Sequence, residues 1–254
     1  VSAALVFDAV TAGYRGSPVL RNVSMSVATG AVTGLVGPNG AGKTTLFRVA
    51  IRLLNPEHGN VRVMDRPLVT WSAPALARTL AYLPQEAEAH WPVQARKLVA
   101  LGRLPYRANF ARLSTADEAT IDDALSRCDA ADLAASAMNE LSAGERARIL
   151  LARALAVGAP IVLVDEPAAH LDPAHQLRLM ELLRAEADRG TAVIVTLHDL
   201  SLASRFCDRL VVMNDGRVVA DGAAVTVLND DLLRSVFAIR ARRIENGIVP
   251  WQRI

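Results

Sequence analysis

The chain begins with alternation. Residues 5–30 place apolar and polar side chains on opposite sides of an extended backbone (Leu5-Val6-Phe7, then Val23-Ser24-Met25-Ser26-Val27), with Gly13 and Gly16-Ser17-Pro18 between them. A period of two broken by turn residues predicts a small antiparallel sheet. Val61-Arg62-Val63-Met64, after Pro56 and Gly59, predicts another strand of that sheet, and Leu80-Ala81-Tyr82-Leu83-Pro84 a strand returning to the core. From about residue 92 to 154 strand signals nearly vanish, and Ala, Leu, Arg and Asp dominate in helical runs over 93–101, 115–128 and 143–156. A helical subdomain inserted in the core is the expectation. Ile161-Val162-Leu163-Val164 and Ala192-Val193-Ile194-Val195-Thr196-Leu197 are continuous apolar runs, as parallel strands covered on both faces require. Between them Asp172 and Pro173 cap and start a helix with Leu179, Leu182 and Leu183 among its apolar positions, and Gly190 ends it. Two hairpins complete the pattern, turning at Asn214-Asp215-Gly216 and at Asn246-Gly247.

One junction in this pattern carries chemistry. Residues 31–36 read as a short buried strand, and Leu46, Val49, Ala50 and Leu53 recur at helical spacing after it. The turn between them is Gly37-Pro38-Asn39-Gly40-Ala41-Gly42-Lys43-Thr44-Thr45, which satisfies the phosphate-loop pattern G-x-x-x-x-G-K-[ST]. A strand, a glycine-rich turn and a helix N-terminus present several backbone N–H groups to one anion. Lys43 adds a point charge for the β- and γ-phosphates, and the Thr44 hydroxyl is placed to ligate Mg²⁺. The chain therefore binds a nucleoside triphosphate on an α/β fold of the P-loop NTPase class.

Composition narrows the remaining choices. With 52 % hydrophobic residues there is material for a substantial core, built from Ala, Val, Leu and Ile because only 4 % of residues are aromatic. A formal charge of +2, with no run of Lys or Arg, argues against nucleic acid as partner. Two cysteines, Cys128 and Cys207, fit buried small hydrophobes in a reducing compartment. The richest apolar stretch, residues 149–164, is broken by Arg153, Gly158 and Pro160, so a soluble protein is expected, with any membrane role reached through a partner.

Further candidate groups sit at strand ends. Asp165 and Glu166 follow the run 161–164, where doubly wound sheets place their ligands. Four apolar residues followed by an acid form a Walker B element. Asp165 is suited to hold Mg²⁺, usually through water, and Glu166, one residue on, is the candidate general base for an attacking water. His198 ends the next strand and is placed to bond a γ-phosphate. His58, His90, His170 and His175 show no paired metal-ligand spacing and read as surface or loop residues. Leu141-Ser142-Ala143-Gly144-Glu145 opens a helix; Ser142 and Glu145 have capping-box spacing, and the same helix end can receive phosphate, two compatible readings.

These pieces, in this order, resemble the nucleotide-binding subunit of ATP-binding cassette transporters over nearly the whole chain. Residues 141–145 match the signature L-S-G-G-Q in type; Gln85, after Pro84, matches the Q-loop glutamine, Leu171-Asp172 the D-loop and His198 the switch histidine. Tyr14 lies where the family stacks an aromatic ring on adenine. The resemblance implies a RecA-like, mostly parallel core with an N-terminal antiparallel β-subdomain (residues 1–91 and 155–254) and a helical signature subdomain (about 92–154). It implies a homodimer in which the phosphate loop of one copy and Ser142 and Gly144 of the other enclose each ATP. Thr44, Gln85 and Asp165 would bind Mg²⁺, Glu166 and His198 would act at the γ-phosphate, and Asp172 would border the nucleotide. Ala143 and Glu145 depart from the signature and leave affinity and turnover open.

A single cassette of this size resembles an importer ATPase that is separate from its permease. Val99-Ala100-Leu101-Gly102-Arg103-Leu104-Pro105-Tyr106-Arg107 resembles the segment after the Q-loop in importers of iron chelates, haem and cobalamin, as does the short tail 236–254. The implied partners are integral-membrane permease subunits, near Gln85, Trp91 and Pro92, and, through them, a substrate-binding protein. The implied place is the cytoplasmic face of the bacterial inner membrane, with no direct contact to the cargo. A cassette ATPase acting on nucleic acid or the ribosome without a permease, and a nucleotide switch with negligible turnover, are the competing readings.

Overall fold

A computed structural model describes residues 3–85, 92–107, 112–169, 171–244 and 247–254. The chain divides into two compact units, residues 1–71 with 183–254, and residues 72–182.

The first unit begins with β1 (Ala3–Tyr14) and β2 (Ser17–Ala28), an antiparallel pair joined by a two-residue turn. Arg15 and Gly16 both take positive φ there, the mirror-image turn geometry that matches strand twist. Leu5 and Phe7, then Val10 and Ala12, are buried from β1 and Val23, Met25 and Val27 from β2, the predicted alternation with its phase shifted at the irregularity between Phe7 and Val10. β3 (Val32–Val36), buried at every position, leads through the phosphate loop into α1 (Lys43–Ala50). β4 (His58–Val63) and β5 (Arg66–Pro67) complete the antiparallel sheet in the order β2-β1-β4-β5.

The second unit holds α2 (Ala73–Thr79), β6 (Leu80–Leu83), α3 (Ala95–Ala100), a 3-10 turn (Leu101–Tyr106), α4 (Thr115–Arg127), α5 (Ala143–Leu155) and β7 (Ile161–Val164). It also holds the first turns of α6 (Pro173–Asp188), within which the division falls. β6 and β7 pair in parallel, with Leu83 opposite Val164. α3, α4 and α5 pack on one another around Val99, Ile121, Leu125, Ile149 and Ala152, all essentially sealed from water.

The motif at residues 101–106 explains part of that packing. Gly102 lies against α5 so closely that a methyl group there would come within 2.3 Å of the Arg153 carbonyl oxygen. Arg103, next in sequence, donates from Nη1 to the carbonyl oxygens of Ala156 (2.8 Å) and Val157 (3.3 Å), and from Nε to Asp117 (2.8 Å). Its guanidinium also stacks 3.9 Å from the Tyr106 ring centroid, and Tyr106 donates to the Val157 carbonyl. A cation thus meets the carbonyl end of α5, where the helix dipole favours it. Asp117 completes a capping box with Ser114, and the Ser114 hydroxyl, with the Arg103 guanidinium beside it, lowers its carboxyl to about 2. A depressed carboxylate stabilises the fold fully above its unfolded value near 3.8 and loses that contribution as pH falls through about 2. Asp117→Asn is therefore expected to cost between about 1 and 2 kcal/mol at pH 7. In denaturant titrations its deficit against the wild type should shrink as pH falls from 4 toward 2.

The chain then returns to the first unit with β8 (Ala192–Leu197), α7 (Leu200–Phe206), β9 (Arg209–Asn214), β10 (Arg217–Gly222), α8 (Ala224–Val227), α9 (Asp230–Phe237), β11 (Ile239–Ile244) and β12 (Gly247–Arg253). β8 and β9 flank β3 in parallel, and β10 pairs with β9 in antiparallel. β8 is buried throughout, as its uninterrupted apolar run requires. Each Val, Leu or Ile sealed in these three strands contributes about 1.5–3 kcal/mol relative to exposure, so the strand ends are rigid platforms. The register sets Val36 opposite Leu197 and Val212, so the phosphate loop and His198 leave the sheet at neighbouring strand ends. β11 and β12 form the second hairpin; Asn246 of its turn lies outside the described residues, as do His90, Trp91 and His170. Cys128 and Cys207 are free and buried, and burial pushes the Cys207 thiol up to about 12. Among the described residues no helix is long and apolar enough to cross a membrane.

Candidate functional site

The phosphate loop is shaped by contacts only glycine permits. Gly37 has φ +154, and a methyl group there would come within 2.2 Å of the Met213 carbonyl oxygen on β9. Gly42, the N-cap of α1, is left-handed (φ 102) and carries no side chain to satisfy the first amides of the helix. Those amides and the positive end of the helix dipole are what an anion needs. Lys43 is 6 % exposed, and its Nζ donates to the carbonyl oxygens of Gly37 (2.9 Å) and Pro38 (3.2 Å). The ammonium is thus held against the loop itself. Asn39 and Gly40 are exposed at the tip, while Ala41 and Thr45 are buried beneath it and Thr44 is half-buried.

Two other predicted groups share this unit. His198 follows β8 and is exposed; the next residue, Asp199, caps α7 by accepting from Ser201 N (2.7 Å) and Leu202 N (3.1 Å). Tyr14, at the end of β1, is 41 % exposed, and its hydroxyl accepts from Arg48 on α1 (2.9 Å). The ring is therefore tied to the helix that carries the phosphate loop, a link invisible in the sequence.

In the second unit, β6 and β7 end side by side and bring Gln85, Asp165 and Glu166 together. Asp165 is 1 % exposed, with the Tyr82 hydroxyl 3.3 Å from Oδ2. Gln85 Nε2 donates to Glu166 Oε2 at 2.5 Å. A carboxylate only accepts, so the nitrogen faces Glu166 and the carboxamide oxygen is the end a cation would meet. Glu166 holds a positive φ of 48, an uncommon conformation for a residue with a Cβ. Backbone strain of this kind costs about 1–3 kcal/mol and persists where the surroundings over-determine it. Within this unit Gln85 and Asp165 offer carboxamide and carboxylate oxygens, the hard donors that suit a cation such as Mg²⁺. Among the described residues no group of three or more His, Cys, Asp and Glu is spaced to hold a metal.

The signature segment forms the capping box its spacing predicts. Glu145 N donates to Ser142 Oγ (3.3 Å) and Ser142 N donates to Glu145 Oε2 (2.8 Å). The Ser142 hydroxyl and backbone N–H hold the Glu145 carboxyl below its ordinary range. The carboxylate thus folds back on the helix it opens. Ser142 and Ala143 are exposed, whereas Gly144 is buried. His175, read from the sequence as a surface or loop residue, is on the surface with its side chain 41 % exposed, in the first turn of α6 and with its ring over the Gly144 α-carbon. Its Nδ1 is 2.7 Å from Asp172 Oδ2, and its backbone N donates to Asp172 Oδ1 (3.0 Å). Asp172 is therefore the α6 cap the sequence predicts, and these two bonds hold its carboxyl below the usual value. An i,i+3 Asp-His spacing at a helix start was the available signal for the bond; nothing local pointed to Gly144.

The predicted site residues divide between the units. Tyr14, the loop 37–45 and His198 belong to the first; Gln85, Ser142, Gly144, Asp165, Glu166 and Asp172 belong to the second.

Known proteins carry the same pattern. Residues 20–169 match the family model described as ABC transporter. The chain is 43 % identical over 226 residues to the cobalamin import ATP-binding protein BtuD of Halobacterium salinarum, covering 89 % of this chain and 56 % of that protein, so it spans about half of that relative's length. It is 42 % identical over 240 residues to the hemin import ATP-binding protein HmuV of Rhodococcus jostii, covering 94 % of this chain and 81 % of that one. Among solved structures, an inward-facing putative metal-chelate type ABC transporter shares the fold with a TM-score of 0.85 at 22 % identity, covering 99 % of this chain and 98 % of that one. A phosphate loop inside the matched segment, on an α/β fold shared with that solved structure, leaves one assignment: the chain belongs to the ABC transporter family.

Proposed function

We propose that this chain is the ATP-hydrolysing subunit of an importer, working as a pair of copies on membrane permease subunits at the cytoplasmic face of a bacterial inner membrane. The observation that carries the hydrolytic reading is the 2.5 Å bond from Gln85 to Glu166. It orients a carboxylate at a strand end, beside the buried Asp165, where a general base for water belongs.

Each residue then has a task. Lys43 and the loop amides draw the β- and γ-phosphates of ATP onto the α1 N-terminus, and Tyr14 supports the adenine ring. Ser142 and Gly144 of the second copy close over the γ-phosphate, with Asp172 bordering the nucleotide. Glu166 takes the proton of the attacking water as the bond between its oxygen and the γ-phosphorus forms and the bond to the ADP oxygen breaks. His198 donates to the γ-phosphate oxygens as they gain charge. Mg²⁺, held by Thr44, Asp165 and the oxygen of Gln85, would supply charge neutralisation at the phosphates. Positioning and electrostatics account for most of the catalysis in such transfers.

The cargo class follows from likeness. Relatives named for cobalamin and for hemin stand at 43 % and 42 % identity, which supports the tetrapyrrole and iron-chelate group without dividing it. Haem, a ferric siderophore and cobalamin are the candidates, met by the permease and its binding protein rather than by this chain. The test is uptake by the chain reconstituted with its permease in liposomes, comparing the three. One of them should accumulate and raise ATP turnover. Turnover raised by none would overturn the cargo class; turnover raised by nucleic acid without the permease would favour the macromolecular reading.

A further inference from the structure

Gly144 and His175 are 31 positions apart in sequence, yet the histidine ring occupies the space a side chain at Gly144 would need. A methyl group built on Gly144 would lie 1.9 Å from His175 Cδ2 and 2.4 Å from Cγ and Nε2. Contacts that short never occur, so the ring or the helix would have to move. A histidine on a flexible side chain would swing aside easily. This one is tied: Nδ1 donates to Asp172 Oδ2, and that same carboxylate, through Oδ1, accepts from the His175 backbone N and caps α6. Moving the ring means giving up its bond to the Asp172 carboxylate, a tie that water weakens, since the two side chains are 41 % and 59 % exposed.

We propose that His175 is a positioning residue for the signature helix. By bracing Asp172 with one ring edge and Gly144 with its face, it fixes how the α5 N-terminus stands relative to the Asp172 turn. Ser142 and Ala143 then reach the triphosphate of a second copy in one orientation. The requirement for glycine at 144 comes from the chain's own histidine, in addition to any approach by a nucleotide. The proposal rests on the ATP-hydrolysing reading only for the consequence of this bracing, since the contact exists within one chain.

The capping box leaves α5 well formed without His175, because Ser142 and Glu145 satisfy each other. Losing the ring should therefore leave mean helix content unchanged while freeing the orientation of the first turn and letting that turn open more often.

The test is a double-mutant cycle in the full chain with its permease, read as ATP turnover. His175→Ala should lower kcat about tenfold while the KM for ATP stays within about twofold, because the phosphate loop that binds ATP is untouched. His175→Asn, whose amide nitrogen can stand where Nδ1 stood, should recover most of that loss. Gly144→Ala should be worse than His175→Ala, and the loss it adds should be smaller in the His175→Ala background than in the wild type, because there the methyl no longer meets the ring and only the nucleotide's approach still opposes it. A Gly144→Ala defect that persists undiminished in the double variant would overturn the proposal, as would wild-type kcat in His175→Ala. A second measurement needs no turnover: hydrogen exchange of the amides of residues 146–149 should quicken in His175→Ala and not in His175→Asn. If the wild type hydrolyses no ATP, the functional reading fails, and this exchange result still decides the bracing; equal protection in wild type and His175→Ala would sink it.

Discussion

Replacing Glu166 with glutamine is expected to lower ATP turnover by about two to three orders of magnitude while leaving ATP binding intact. The local geometry makes this a clean substitution. Glutamine has the shape of glutamate, and its side-chain oxygen can still accept the Gln85 hydrogen bond. The backbone at 166, already at φ 48, has no reason to change. What disappears is the ability to take a proton from water. The remaining machinery should then bind ATP and close without completing the cycle. A variant that elutes as an ATP-dependent dimer and releases phosphate at a small fraction of the wild-type rate would match this expectation. Wild-type turnover in Glu166→Gln would remove Glu166 from its role and leave the Gln85 bond a structural contact.

The parts of this site that were legible in the sequence are those written in backbone chemistry. Glycines at 37 and 42 exist because the loop passes against β9 and enters α1 left-handed, and a lysine and threonine follow at fixed offsets. The buried parallel strands were legible for a similar reason: β3, β7 and β8 are covered on both faces, so every position is apolar or small. Short amphipathic pieces were harder. α2, α7 and α8 are at most seven residues long and offer too few positions for a helical period to emerge. Their caps were visible in hindsight, Ser72 before Pro74 and Asp199 before α7. Least legible were contacts between residues far apart in sequence. Gln85 on Glu166, Arg48 on Tyr14 and His175 on Gly144 each join distant segments, and no local pattern encodes which pairs the fold will bring together. The segment 101–106 lies between these extremes. Its residues suggested a family likeness, but their physical task, holding the carbonyl end of α5 through Arg103, emerges only from the packed structure.

The largest effect on binding is expected from Lys43→Ala. An ammonium only 6 % exposed would be costly to bury alone, and the carbonyls of Gly37 and Pro38 offset that cost. The positive charge is therefore assembled at the loop before any ligand arrives, so ATP meets it without first paying to order it. A triphosphate brings anionic oxygens that outbid neutral carbonyls for the same protons, since bonds between charged partners are about twice as strong as neutral ones. Alanine removes both the charge and the donor while the glycine-shaped loop remains. ATP affinity should fall by about a hundredfold, the scale of a lost hydrogen bond to a charged group. Arginine is a poor rescue, because its planar fork does not present the single nitrogen that Lys43 directs at both carbonyls. Thermal unfolding gives the measurement, since a ligand bound only by the folded state stabilises by about 2.7 kcal/mol at a hundred times its Kd. At an ATP concentration giving that shift in the wild type, Lys43→Ala should show little shift while unfolding near the wild-type temperature without nucleotide. An equal ATP-dependent shift in both would mean that the loop amides alone hold the triphosphate and that Lys43 serves the loop's own conformation.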